Sequence, residues 1–214
     1  MGKYLTVLGE SVAEYTEKRS KFIATLRHCE TEEEALAFLE EMRSKYWDAK
    51  HNVFAYSVNK GTSSRFSDDG EPHKTAGKPV LDIINGSGIT DVAIVVTRYF
   101  GGVLLGTGGL VRAYSKSARD AVDNADIAEM IPCTVLECEC DYTDYQKLIS
   151  LAENNGGKLK NSDFTDKVTA QIIFKDEDIP EFNAKLTEVF SARITANEKS
   201  KKISPFLIEK NKGI

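Results

Sequence analysis

Residues 92–124 read VAIVVTRYFGGVLLGTGGLVRAYSKSARDAVDN. Val92 to Thr97 is a nearly unbroken apolar run of strand length, which predicts a strand covered on both faces. Glycines then cluster at 101, 102, 106, 108 and 109. Beyond them Leu110, Tyr114, Ala118, Ala121 and Val122 recur at helical spacing, predicting a helix from about Leu110 to Asn124. A buried strand, a glycine loop and a long helix in that order set the architecture of the N-terminal part.

The flanking sequence extends the pattern. Val12–Glu17 and Phe22–His28 read as strands around the turn Lys18-Arg19-Ser20-Lys21. Thr31 and Glu34 form a capping-box pair ahead of Ala35, Phe38, Leu39, Met42 and Tyr46, so a helix follows. Asn52–Val58 reads as a strand, residues 59–77 as polar turns, and Pro79–Asn85 as a short helix ended by Gly86. The chain is expected to reset near Ile131-Pro132. Past that point the order is strand 133–140, helix 142–154, strands 157–164 and 167–174, helix 177–191 and strand 193–203. This β-α-β-β-α-β order is that of a ferredoxin-like fold. The fold class is α+β, with two domains expected at 1–130 and 131–214.

Composition narrows the function classes. The 214 residues carry a net charge of −5, and 41% are hydrophobic, enough for packed cores. Residues 1–130 hold 16 basic and 19 acidic groups and the remainder 12 and 14, so neither part is a polycation. Nucleic-acid binding therefore requires a local basic patch. Met1–Glu10 lacks the apolar core of a signal peptide, and no stretch approaches about 18 apolar residues. Neither secretion nor a membrane span is expected, and the location is read as cytoplasmic. Cys29, Cys133, Cys138 and Cys140 match no zinc spacing and read as buried reduced thiols. No residue pattern sets an oligomeric state.

The candidate chemistry lies between Arg65 and Arg119. Glycines allow positive φ and close backbone approach, and a helix start presents free N–H groups at the positive end of its dipole. Together these make a place for an anion. Arg65, Lys78, Arg98, Gly101, Gly102, Gly106, Gly108, Gly109, Arg112, Lys116 and Arg119 are the candidate anion- or nucleic-acid-binding set. Arg98 and Arg112 bracket the loop, and Arg112, Lys116 and Arg119 share a helix face at i, i+4 and i+7. The competing reading is tight packing of helix on strand. The segment is neither a Walker loop nor a dinucleotide fingerprint, because both spacings are absent.

Asp68, Asp69 and Glu71 form an acidic cluster with oxygen ligands suited to magnesium. A turn whose carboxylates cap backbone N–H groups or pair with Arg65 is the favoured reading, so no metal and no cofactor are expected. His28 and His51 sit at strand ends and read as structural, while His73 lies in the polar loop. No nucleophile elbow is present, and no cysteine has an evident histidine and acid partner. Lys199, Lys201, Lys202, Lys210 and Lys212 read as the solvated lysines of an edge strand.

Several of these residues also resemble a known signature. Asp68-Asp69-Gly70-Glu71-Pro72, Thr75-Ala76-Gly77-Lys78-Pro79, Arg98-Tyr99-Phe100-Gly101-Gly102 and Gly108-Gly109-Leu110-Val111-Arg112-Ala113-Tyr114 are similar to motifs of the YigZ/IMPACT family. Ser20-Lys21-Phe22-Ile23-Ala24 and Ala49-Lys50-His51 fit its N-terminal part, so the likeness spans roughly residues 10–125. The resemblance implies a left-handed β-α-β superfold, shared with a ribosomal protein domain, elongation factor G and the GHMP kinases. It implies a C-terminal domain like the ferredoxin-like end of elongation factor G. In eukaryotic relatives the domain belongs to a regulator of translation that acts through protein binding. This chain departs from the pattern at His73-Lys74, where many members carry small residues, and at Leu104, where many carry lysine.

The sequence therefore leads to a non-catalytic factor linked to translation, with RNA, the ribosome or a translation-associated protein as partner. Two alternatives stand beside it. One is an enzyme acting on a phosphorylated small molecule, with the glycine loop as phosphate cradle. The other is a protein-interaction module using the same surface. A pocket where carboxylates meet the glycine loop would favour the former, and an exposed apolar patch the latter.

Overall fold

A computed structural model describes residues 3–207. Two compact units divide between Glu129 and Met130.

The first unit spans Tyr4–Glu129. Its strands are β1 (Tyr4–Leu8), β2 (Glu10–Glu17), β3 (Ser20–His28), β4 (His51–Val58), β5 (Ser63–Ser67) and β6 (Val92–Tyr99). Its helices are α1 (Glu32–Lys45), α2 (Gly77–Ser87) and α3 (Gly106–Asn124). Five strands form one sheet in the order β2-β3-β6-β4-β5, each pair antiparallel. β6 lies at the centre and is buried on both faces, as its apolar run requires. Val92, Ile94 and Val96 face Leu110, Ala113 and Tyr114 of α3. Ala93 and Val95 face Phe38, Leu39 and Met42 of α1. Thr31 caps α1 by accepting from the Glu34 N–H at 3.2 Å, as the capping box predicts.

β1 and β5 are strands where the sequence suggested none. β1 bridges Ile89 through Leu5, and β5 pairs with β4 from Phe54↔Ser67 to Val58↔Ser63. The β5 sequence Ser-Ser-Arg-Phe-Ser has almost no apolar alternation, because an edge strand needs only backbone partners on one side.

The second unit continues from Met130. Its elements are β7 (Asp126–Cys140), α4 (Tyr142–Asn154), β8 (Lys158–Phe164), β9 (Val168–Lys175), α5 (Ile179–Phe190) and β10 (Ala196–Leu207). β9 lies between β7 and β8, and β10 pairs with the other side of β7. This is the ferredoxin-like arrangement. Alternate β9 residues Val168, Ala170, Ile172 and Phe174 turn inward, where Phe174 meets Phe182 with centroids 4.4 Å apart.

The two units divide beside the expected reset at Ile131-Pro132, and β7 runs through that point without a break. Proline lacks an N–H but keeps its acceptor, and the Pro132 carbonyl takes the Asp176 N–H at 3.1 Å. Lys199 pairs with Glu137 and Lys201 with Glu198, whereas Glu209, Lys210 and Lys212 lie outside the described residues.

Candidate functional site

The register of β6 assembles the centre of the site. Arg98 stands opposite Phe22 on β3 and opposite His51 on β4. Directly paired residues of antiparallel strands share a face, so the three side chains lie side by side. That face continues the Val92, Ile94, Val96 row beneath α3. The Arg98 side chain is only 7% exposed and pairs through Nη1 with Glu71 Oε1 at 2.5 Å, itself 4% exposed. The Tyr114 hydroxyl donates to the same oxygen at 2.8 Å. Burial first, and then the Glu71 charge, push the Tyr114 phenol well above its ordinary value.

His51 completes the group. Its Nδ1 lies 2.8 Å from the Asp69 carbonyl and its Nε2 4.0 Å from Glu71 Oε1. Arg98 also reaches Ser20 Oγ with Nη2 at 3.5 Å, while its Nε has no acceptor among the described residues.

Asp68 and Asp69 do separate work. Asp68 Oδ1 accepts from the N–H groups of Ala76 at 3.1 Å and Gly77 at 2.9 Å, and Oδ2 accepts from Lys74 at 2.7 Å. It thereby caps the start of α2, whose own N-cap residue Ala76 supplies no side-chain acceptor. Asp69 Oδ2 accepts from the Asn52 N–H at 2.6 Å and its Oδ1 from Arg43 at 3.3 Å. Of the three acids, Glu71 alone lines the cleft beside α3.

That cleft has a volume of about 430 Å³. Pro72, Phe100, Leu104, Leu105 and Leu110 give it an apolar wall, and Lys50, His51, Glu71 and Arg98 line it too. Phe100 is 48% exposed and Leu104 83%. A second cleft of about 280 Å³ lies on the other side of Leu105, which lines both. Lys18, Arg112 and Lys116 line this one, with Tyr15 and Glu17.

The glycines have distinct roles. Gly101 packs so closely on the β2–β3 turn that a Cβ there would stand 2.0 Å from the Arg19 carbonyl carbon. Its N–H donates to Ser20 Oγ at 3.1 Å. Gly106 has φ +69 and opens α3, which starts four residues ahead of the expected Leu110. Gly108 and Gly109 therefore sit inside the first turn, where no side chain caps the helix.

Other candidates disperse. Arg65 is exposed on β5 and lies 3.6 Å from Glu32, and Lys78 pairs with Asp82 on α2. Neither lines either cleft. Arg112, Lys116 and Arg119 are exposed along α3, with Lys116 paired to Asp120 at 2.5 Å. Lys18 and Arg19 were not singled out by sequence, although the closeness of Gly101 to their turn brings them here. Tyr114 and Lys50 were also missed as site residues. Both fall inside quoted motifs, which was the one available signal.

Comparison with known proteins fixes the lineage. Residues 18–122 match the Impact N-terminal domain, and residues 138–193 match a domain of unknown function, DUF1949. The IMPACT family member YigZ of Escherichia coli is 38% identical over 174 residues, 80% of this chain and 85% of that protein. The chain belongs to the IMPACT family. A solved structure described as a hypothetical protein is 33% identical and covers 94% of this chain and 98% of its own, with a TM-score of 0.61. The chain also aligns with the two-domain translational regulator Yih1, 29% identical over 55% of this chain and 47% of that one. Its TM-score of 0.38 is too low for geometric transfer.

Proposed function

We propose that this IMPACT-family chain is a non-catalytic, translation-linked factor that binds RNA, free or on the ribosome, through the face beside the first turn of α3. One observation carries the RNA reading. Lys18, Arg19 and Arg112 are exposed there, Arg119 follows about two turns farther along α3 on the same helix face as Arg112, and none of the four has an ion-pair partner among the described residues. The whole chain is acidic at −5, so its field opposes a polyanion elsewhere and orients RNA toward this face. The link to translation rests on the family resemblance. Asp68, Asp69 and Glu71, all bonded within the fold, offer little to the competing enzymatic reading.

The test is binding of labelled RNA and of ribosomes at about 50 mM and about 200 mM salt, because released counterions make such binding salt-sensitive. Arg112→Ala/Arg119→Ala is expected to weaken binding and to reduce the log–log salt slope by about 1–2. Absence of binding at the lower salt would sink the RNA reading. The exposed Val103 and Leu104 favour a second reading, docking of a translation-associated protein. Leu104→Lys would abolish such docking.

A further inference from the structure

The apolar and basic clefts share Leu105, so they adjoin across the width of one side chain. Their chemistry is complementary to the two halves of a nucleotide. We infer that they form one bipartite site for single-stranded RNA: an unpaired base enters the apolar cleft against Phe100, and an adjacent phosphate sits between Lys18, Arg112 and Lys116. This deepens the RNA reading above and rests on it.

Four features support the assignment. The Phe100 ring is half exposed, and Arg98 Cζ lies 5.6 Å from its centroid, which braces the ring from the protein side. Every base has a π-face, so such a platform accepts any sequence. The cleft of about 430 Å³ exceeds the volume of one base, and Lys50 stands in its wall without an ion-pair partner among the described residues. The basic cleft sets three cations against the single carboxylate Glu17, which is held by the Tyr15 hydroxyl at 2.8 Å. Lys116 is shared with Asp120 through an exposed i, i+4 pair, a weak bond that a phosphate outcompetes.

Duplex RNA cannot use this site, because its bases are stacked inside the helix. A single strand splays a base at no such cost.

The experiment is fluorescence anisotropy with a single-stranded RNA of about 12 nucleotides and a blunt duplex of the same sequence, across a salt series. Wild-type protein should prefer the single strand. Phe100→Ala should weaken single-strand binding by about 5- to 150-fold at every salt, the range set by loss of one stacked base, with the salt slope unchanged. Phe100→Tyr should restore it. Arg112→Ala should instead lower the slope by about 1. Equal affinity for the two RNAs, or an indifferent Phe100→Ala, overturns the bipartite site while the broader RNA reading stands. Failure of both RNAs to bind at the lowest salt overturns both.

Discussion

Arg98 turns its charge inward, and that placement changes what its substitution should do. Sequence made it the first arginine of an anion site, but its guanidinium is bonded to Glu71 and covered. Removing one partner of a buried pair strands the other without water. Arg98→Ala should therefore cost about 3–5 kcal/mol in urea unfolding of the N-terminal unit. Arg112→Ala, at an exposed position, should stay within about 0.5 kcal/mol of wild type. If Arg98→Ala proves as mild as Arg112→Ala, the buried pair is not structural. Asp68 instead follows the favoured reading of its turn, since its carboxylate caps a helix nine residues away. The identity of neither partner was legible locally. The partners of Arg98 and Asp68 lie 27 and 9 positions off, and no periodicity links them.

At the scale of elements, the β2–β3 hairpin closes on Lys18-Arg19 alone, because Glu17 pairs directly with Ser20. Both turn residues have positive φ, 45 and 69. Two-residue hairpins with positive φ at both positions favour Asn-Gly, and side chains such as these are strained there. Lys18→Asn/Arg19→Gly should raise stability by about 1 kcal/mol, read by thermal unfolding, and at the same time weaken RNA binding. Stabilisation with unchanged binding would remove the turn from the interface. The start of α3 was misplaced for a related reason. Glycines cost about 1 kcal/mol each in a helix interior, so a propensity argument stops short of them. Packing of Leu110, Ala113 and Tyr114 against β6 and β3 carries the helix back through that stretch. β5 escaped notice because its Ser-rich sequence shows no alternation, whereas β6, α1 and β9 announced themselves by apolar pattern.

Across the whole molecule, burial governs the response to alkali. It pushes the Cys29 thiol up to about 11 and the Cys138 thiol up to about 12 from an ordinary 9.0. Tyr4 and Tyr99 rise to about 12 from 10.0, first through burial and then through Asp91 and Asp48. The folded state holds these protons more tightly than the unfolded chain does. Their contribution to stability is complete below the unfolded values and is lost as pH rises toward the folded ones. Urea midpoints should therefore fall steadily above about pH 9. At pH near 8 the native thiols should resist a disulfide reagent and react only after unfolding. Prompt modification of Cys138 in native protein would contradict its burial.

The sequence by itself determined the α+β class, the ferredoxin-like order of the C-terminal unit and the run of motifs that places the chain in its family. These follow from periodicity, caps and turn residues, all of which act within a few positions along the chain. Only the tertiary structure decided which charges face solvent. The antiparallel register puts Arg98 between Phe22 and His51, beneath Glu71 and Tyr114, and the β2–β3 turn, packed against Gly101, brings Lys18 to the basic cleft. Burial converts one cation into a structural bond and leaves its neighbours free, because a charge loses its solvation only where distant parts of the chain close over it.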